Sequence, residues 1–319
     1  MADLNRREIL VAGAGAGAIG LAGSLAILPT PAARAAGDGA YRYRIGDVEV
    51  IAIHDGFAER PLEAGFVVNA ELADVQAALA EAGHPTDKVT INFTQTVMRI
   101  GDRTVLIDAG TGAQLAPTAG KMMENLAAAG IDPASIDTVL VSHFHPDHIF
   151  GLMAKDTNAQ VFPNAEIVVP EAELAFWTDP SLIERLPEGQ RGLAQRIQAT
   201  LGTWGNVRPV AGGTEVAPGL VTRSAHGHTP GHTVHVLSSG NDTLVIAADT
   251  ANLPALFVAN PGWHVAFDMD KAMAEASRRA LLDMVVADGA VIAGYHFGFP
   301  NPGRIEKDGE GYAFVPLGA

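Results

Sequence analysis

No cysteine occurs anywhere in the 319 residues. Disulfide frameworks, thiolate-bound zinc, iron–sulfur clusters and cysteine nucleophiles are therefore excluded, and any metal must be held by His, Asp or Glu. Basic residues are scarce as well: 21 Lys and Arg stand against 36 Asp and Glu, a formal charge of −15. So negative a chain repels phosphate backbones and anionic membrane surfaces, which argues against nucleic acid as a partner and favours a neutral or cationic one. Aromatic residues make up only 6% of the chain, yet 48% of it is apolar and 11 residues are His. That composition supports a folded core and leaves imidazole as the abundant functional group.

The first stretch reads as an address rather than a fold. Asn5-Arg6-Arg7-Glu8 precedes an uncharged Ala/Gly/Leu/Ile run to Leu28, which Pro29 and Pro31 break before Ala33-Arg34-Ala35. Charged start, apolar middle and A-x-A end are the parts of a secretory signal peptide, here residues 1–35 with cleavage after Ala35. The Arg6-Arg7 pair resembles the twin-arginine type and points to export to the periplasm or beyond. After cleavage no stable membrane anchor is expected. The Gly15-x-Gly17-x-x-Gly20 within this run matches a dinucleotide fingerprint but lacks the preceding strand and the following acidic residue.

Residues 36–319 read as one domain in which strands and helices alternate. Tyr41–His54 forms a hairpin around Gly46-Asp47, and Val89–Ile100 with Thr104–Ile107 forms another around Gly101-Asp102. Helices are expected from Asn69 or Ala70 to Ala82, Met122–Ala129, Glu171–Trp177, Ser181–Leu201 and Asp270–Val286. Short strands are expected at Val139–Val141, Ile167–Val169, Val207–Val210, Leu220–Ser224, Val234–Ser238, Leu244–Ala247, Val291–Ala293 and Tyr312–Val315. Two batches of strands interleaved with helices, without a linker between them, suit two mixed sheets packed face to face with helices outside. The expected class is an α/β fold of αβ/βα type, a four-layer sandwich.

Chemistry concentrates in Ser142-His143-Phe144-His145-Pro146-Asp147-His148, an H-x-H-x-D-H directly after an apolar strand. Imidazole and carboxylate suit zinc and similar divalent ions. His143 and His145, two apart in an extended turn, can share one ion; Asp147 and His148 follow a Pro that favours a helix start and can face a second. A polar loop merely rich in His is the other reading. Further along, Ala225-His226-Gly227-His228-Thr229-Pro230-Gly231-His232 offers His232 as third ligand of the first ion. Asp249 ends an apolar strand where a carboxylate can bridge two ions, and His296 completes the second. These segments all follow short apolar strands, the common position of sites in open α/β sheets.

H-x-H-x-D-H followed by His, Asp and His resembles the metallo-β-lactamase superfamily in order and spacing across nearly all of residues 36–319. Phe162-Pro-Asn-Ala, Phe176-Trp177, His226-Gly-His-Thr-Pro-Gly-His and Gly311-Tyr-Ala-Phe-Val-Pro are similar to the methyl parathion hydrolase branch, which contains exported esterases, lactonases and phosphotriesterases. That resemblance implies two Zn²⁺ per chain (other divalent metals also fit), a metal-bridging hydroxide, Asp147 as the group that moves a proton, and a homodimer. Asp108 of Val105-Leu-Ile-Asp-Ala-Gly110 looks like the carboxylate that supports the metal loop; a turn Asp before a Gly is its other reading. The chain departs from relatives at Ala248, where they often carry Gly, and between Thr250 and Asp270. Subclasses that need a Cys ligand are excluded.

The implied activity is hydrolysis of neutral hydrophobic lactones, aryl esters or phosphotriesters. Candidates for the substrate pocket are Phe57, Phe66, Phe93, Trp177, His226, Phe257, Trp263 and Tyr295, the last being the one tyrosine near the metal motifs. His226 and His228 are read chiefly as turn residues that hydrogen-bond locally. Two other classes compete: a mononuclear iron dioxygenase of persulfides, which Asp147, His148 and His296 as a full second ligand set argue against, and a metal-binding protein without catalysis.

Overall fold

The structure, a computed structural model, describes residues 39–318, so the expected signal peptide and its cleavage point lie outside the described residues. The first sheet is built in chain order from β1 (Ala40–Ile45), β2 (Val48–Pro61), β3 (Lys88–Ile100), β4 (Arg103–Ile107), β5 (Thr138–Leu140), β6 (Glu166–Pro170) and β7 (Val207–Val210). The second runs in the order β14 to β8, with β8 (Glu215–Ala217), β9 (Leu220–Ser224), β10 (Thr233–Ser239), β11 (Asp242–Ala248), β12 (Val291–Gly294), β13 (Pro302–Asp308) and β14 (Gly311–Pro316). Pairing is parallel from β4 to β7 and between β11 and β12, and antiparallel elsewhere. Both sheets are mixed.

Alternation along the strands creates the layers. Val50, Met98, Val105, Ile107 and Leu140 face Leu220, Leu237, Leu244, Ile246 and Val291 between the sheets. The opposite face of the first sheet, with Ile51, Ile53, Val97 and Leu106, packs under α2 (Met122–Ala128), α4 (Glu171–Thr178) and α6 (Glu188–Ala199). Val234, Val245 and Ile292 on the outer face of the second sheet meet Leu281, Leu282 and Val285 of α7 (Lys271–Asp288). Helix, sheet, sheet, helix is the expected four-layer sandwich. A lateral apolar cluster joins Val75 and Leu79 of α1 (Leu72–Glu81) to Phe93, Phe257 and Val265. No helix among the described residues is long and apolar enough to cross a membrane.

Local chemistry explains most element ends. Asp270 caps α7 by accepting the amide of Met273 at 3.0 Å, and Gly289 terminates it in the left-handed region at φ 58°. The single helix expected over Ser181–Leu201 is two: Leu182–Arg185 (α5) and α6, because Pro187 cannot continue a helix and instead starts the next. β8 and β13 were not expected, since Glu215–Ala217 is short and Pro302–Asp308 carries charge on alternate positions. In β2 the register with β3 shifts between His54 and Gly56. This bulge turns the Asp55 carboxylate inward, where it accepts the amides of Thr111 and Met122 at 2.8 Å each and the Thr111 hydroxyl at 2.6 Å.

Candidate metal centre

β4, β5, β11 and β12 end at one edge of the sandwich, and each delivers a polar residue there. β5 runs into Ser142 and His143; His145 then adopts extended backbone as the N-cap of a one-turn helix α3 (Pro146–Ile149), with Pro146 at its first position. This sharp turn spreads His143, His145, Asp147 and His148 around one point. From the second sheet come Asp249 after β11 and His296 after β12.

Two groups of donors converge. His143, His145, His228 and Asp249 offer ligand atoms within 4.8 Å of one another, and so do Asp147, His148 and His296. Asp249 faces both: its Oδ2 lies 3.3 Å from His228 Nε2 and 3.0 Å from His296 Nε2, and its Oδ1 lies 3.1 Å from His148 Nε2. The Asp147 carboxylate stands 3.5 Å from His296 Nε2 and 3.6 Å from His148 Nε2. His143 Nε2 and His228 Nε2 approach His145 Nδ1 at 3.0 and 2.9 Å.

A second ring of groups sets the imidazoles. His148 donates Nδ1–H to Asp108 at 2.8 Å, His228 to Asp268 at 2.9 Å, and His296 to the Asn92 carbonyl at 2.7 Å, so each directs the lone pair of Nε2 inward. His143 Nδ1 meets the Ser142 hydroxyl at 3.0 Å. Asp108, at φ 59°, also accepts the Ser142 amide and hydroxyl at 2.8 Å each, locking the start of the loop. His148 Nε2 and Asp249 Oδ1, both buried, face each other at 3.1 Å without forming a hydrogen bond and have no other partner among the described residues. Inward lone pairs, a shared carboxylate and orphaned buried atoms fit divalent cations and little else.

The charges agree. Burial disfavours the cation on His228, but the hydrogen bonds and charges of Asp249 and Asp268 outweigh it and push the ring up to about 9. Burial raises Asp249, yet His296 and His148 draw it well below the usual carboxylate range. His143 and His145 are held well below the usual imidazole value by burial and by neighbouring imidazoles.

One expected ligand is replaced. His232 belongs to neither group: its Nδ1–H donates to the Ala225 carbonyl at 3.0 Å and its Nε2 accepts the Asp249 amide at 3.1 Å. Both ring nitrogens are spent on backbone, and burial pulls the ring down to about 3. His228 takes its place, although its sequence context suggested a turn residue. Gly227, at φ 124° and pressed against the Ala274 backbone, bends the loop so that His228 points at the centre while His232 enters β10.

The aromatic candidates separate. Phe93 lies edge-on to His296 at 5.8 Å, and Phe66 packs edge-on to Phe267 at 6.0 Å and tilted to Phe257 at 6.5 Å. A bridge between Val67 and Val265 joins their loops, and Trp263 lines a half-open groove of about 1100 Å³ that reaches Asn92 and His296. Trp177 is instead buried under the first sheet, donating Nε1–H to Glu173 at 2.8 Å, because the α4 face that carries it packs inward. Tyr295 is buried as well. Its ring lies 3.9 Å from that of His148, and its hydroxyl accepts from Gln95 and donates to the Asp147 carbonyl, both at 2.6 Å. Phe57 sits on β2 beside Thr118, outside the aromatic cluster, and His226 joins neither donor group. Phe257 is wholly buried and backs the pocket wall without lining it.

Three further residues shape this site without standing among the sequence candidates. Glu173, fully buried at the start of α4, accepts the Phe144 amide at 3.0 Å and, at 2.8 Å each, the Thr229 hydroxyl and the Gly231 amide. It thereby ties the loop of His143 and His145 to the loop of His228. Asp268 and Arg278 act behind His228.

The family model for the metallo-beta-lactamase superfamily matches residues 94–296, from β3 to the last ligand. Among solved structures, the hydrolase AbOPH of the beta lactamase superfamily is 26% identical with a TM-score of 0.81, covering 90% of this chain and 99% of that one. AidC, a dizinc quorum-quenching lactonase in complex with a homoserine product, is 24% identical with a TM-score of 0.80, over 88% and 98%. A probable metal-dependent hydrolase from Staphylococcus aureus is 20% identical with a TM-score of 0.67, over 86% and 99%. With two convergent His/Asp groups at the expected strand ends, this chain belongs to the metallo-beta-lactamase superfamily and is a metal-dependent hydrolase.

Proposed function

We propose that the chain is a dinuclear zinc hydrolase of neutral, hydrophobic lactones, aryl esters or phosphotriesters. The observation that carries this reading is the position of Asp249, whose carboxylate faces both donor groups, Oδ2 toward His228 and His296 and Oδ1 toward His148. His143, His145 and His228 would hold one ion and Asp147, His148 and His296 the other, with Asp249 between them. Bound zinc supplies Lewis acidity for a carbonyl or phosphoryl oxygen and brings the pKa of water toward neutrality.

The chain's own residues do the rest. His228, His148 and His296 keep their inward tautomer because Asp268, Asp108 and Asn92 hold the other nitrogen. The Asp147 side chain is 18% exposed, against 5% or less for Asp249, His148 and His296. Its Oδ2 can take a proton from the attacking water and pass it to the leaving group. Trp263 lines the groove that reaches His296, and Phe93 lies buried edge-on to His296 behind it, an apolar setting that favours an uncharged substrate. The similarity to AidC, a dizinc lactonase, supports the metal and the lactone arm of this reading. Export through the twin-arginine-like segment, with the enzyme acting in the periplasm as a homodimer, is part of the same proposal.

Metal analysis of the purified chain together with a hydrolysis panel tests it. Two zinc ions per chain and turnover of neutral lactones, aryl esters or phosphotriesters are expected. One iron and no zinc, or turnover confined to anionic thioesters, would overturn it.

A further inference from the structure

Arg278 lies in the middle of α7 and is 1% exposed, the bulkiest of the fully buried side chains among the described residues. All its hydrogen bonds go to one segment. Nε–H donates to the Thr250 carbonyl at 2.9 Å, Nη1 donates to the carbonyls of Pro261 at 2.9 Å and Trp263 at 2.6 Å, and Nη2 donates to Asp268 Oδ2 at 3.1 Å. A planar guanidinium can serve three carbonyls and a carboxylate at once, which an ammonium cannot. The segment it gathers, from Thr250 to Asp268, carries Phe257 and Trp263 and pairs with the Phe66 loop through Val265.

The remaining oxygen of Asp268 receives Nδ1–H of His228, and two backbone bonds fasten the same junction: Met269 N–H to the His228 carbonyl at 3.1 Å and Asp270 N–H to the Gly227 carbonyl at 2.8 Å. An unbroken path of hydrogen bonds thus runs from the pocket wall through Arg278 and Asp268 to His228. The outer partners of His143, His148 and His296 are a hydroxyl, Asp108 and a carbonyl. Of the carboxylates that hold these imidazoles among the described residues, Asp268 alone is itself held by a buried cation.

We propose that Arg278 is a positioning residue that acts through Asp268 to orient His228 and at the same time holds the 250–268 wall in register with it, so that metal retention and substrate size selection depend on one side chain. This rests on reading His228 as a metal ligand of a dinuclear hydrolase. An Arg buried only for packing would lower stability without touching one ion selectively or changing the response to substrate length.

The test uses the zinc-loaded enzyme and its Arg278→Lys and Asp268→Asn variants. Zinc release to a chelator is followed for each equivalent, Co²⁺ spectra are recorded after substitution, and kcat and KM are measured with 4-nitrophenyl acetate and 4-nitrophenyl decanoate. Arg278→Lys should weaken one zinc equivalent about 10- to 100-fold, the range for loss of an outer partner, while the other is unchanged. It should also raise KM for the decanoate several-fold more than for the acetate, and excess zinc should not restore the ratio. Asp268→Asn keeps an oxygen for His228 and leaves the carbonyl bonds of Arg278 in place, so it should weaken the same equivalent and leave the KM ratio alone. The double variant should be less than additive in metal affinity, as expected for one path.

Wild-type retention of both equivalents in Asp268→Asn overturns the proposal even if Arg278→Lys does not fold, and an unchanged KM ratio in folded Arg278→Lys overturns its second half. A wild-type chain that binds no metal, or that binds zinc and turns over no lactone, aryl ester or phosphotriester while losing zinc in the variants as described, refutes the proposed function instead. The metal readings therefore separate the two failures.

Discussion

Replacing His235 with leucine should remove a large part of the chain's sensitivity to mild acid. His235 sits in β10 opposite Thr222 and Ile246, on the face that carries Leu237 into the layer between the sheets. It is 2% exposed, and neither ring nitrogen has a hydrogen-bond partner among the described residues. Burial pulls its pKa down to about 4 from the ordinary 6.5, although the charge of Asp108 pulls the other way. Above pH 6.5 the ring is neutral whether the chain is folded or not, and it adds no pH dependence. Between 6.5 and about 4 the unfolded chain binds a proton that the folded chain excludes, so stability falls as pH falls; below that both states are protonated and the loss is complete. At 1.36 kcal/mol per pKa unit the loss is about 3 kcal/mol in all, of which about 2 kcal/mol has appeared by pH 5. Urea unfolding of wild type and His235→Leu at pH 7.5 and pH 5 measures it. Other titrating groups, including the metal ligands, are common to both chains and cancel in the difference, which should move by about 2 kcal/mol in favour of the variant. At pH 7.5 the variant should match or exceed wild type, since two unsatisfied buried nitrogens disappear. Parallel stability curves across this range would refute the reasoning.

His228→Ala should lose one zinc equivalent on dialysis, whereas His232→Ala should keep both and lose about 1–3 kcal/mol of stability, because only the Asp249 amide and the Ala225 carbonyl go unpaired; the opposite metal pattern would return His232 to the centre. Ala248, fully buried at φ 45°, stands in the left-handed region. Ala248→Gly should stay within about 1 kcal/mol of wild type by thermal unfolding, since relief of strain offsets a lost buried methyl and added chain freedom, while β-branched Ala248→Val should cost more than about 2 kcal/mol. Glu173→Gln should cost about 3 kcal/mol and raise the zinc dissociation rate, because an amide group cannot accept all the donors that the carboxylate serves. Wild-type stability in that variant would show that the two ligand loops do not depend on Glu173.

The layers of the fold were readable because they follow from alternation that the strands carry themselves: Val50 and Ile51 must face opposite ways, and so must Val245 and Ile246. The H-x-H-x-D-H segment was readable for a similar reason, since its four donors lie within six residues of one turn and need no distant information to converge. His228 and His232 were a different problem. Four positions apart in one loop, they offer identical chemistry, and the choice is made by backbone: Gly227 at φ 124° turns one ring to the centre, while Thr233 pairs with Ser224 and commits the other to the start of a strand. The direction of Tyr295 is not legible in sequence because a hydroxyl near a metal motif can face the substrate or the protein, and Gln95 and the Asp147 carbonyl, remote in sequence, claim it.

Arg278 is the instructive omission, because a signal for it was present. Along α7 the buried positions Ala274, Arg278, Leu281, Leu282 and Val285 form one stripe at helical spacing, and a cation stands in its centre. The next residue, Arg279, does what a helical arginine ordinarily does and pairs with Glu275 four positions back at 2.9 Å on the surface. Two adjacent arginines on one helix point about 100° apart, so only one of them can share the apolar face. A charge in that position would carry a large burial cost unless the fold brings it acceptors, and four acceptors from a single segment are what it finds. Burying Arg278 therefore requires Thr250, Pro261, Trp263 and Asp268 to be in place. The cost of its desolvation is what makes the 250–268 wall and the orientation of His228 stand or fall together.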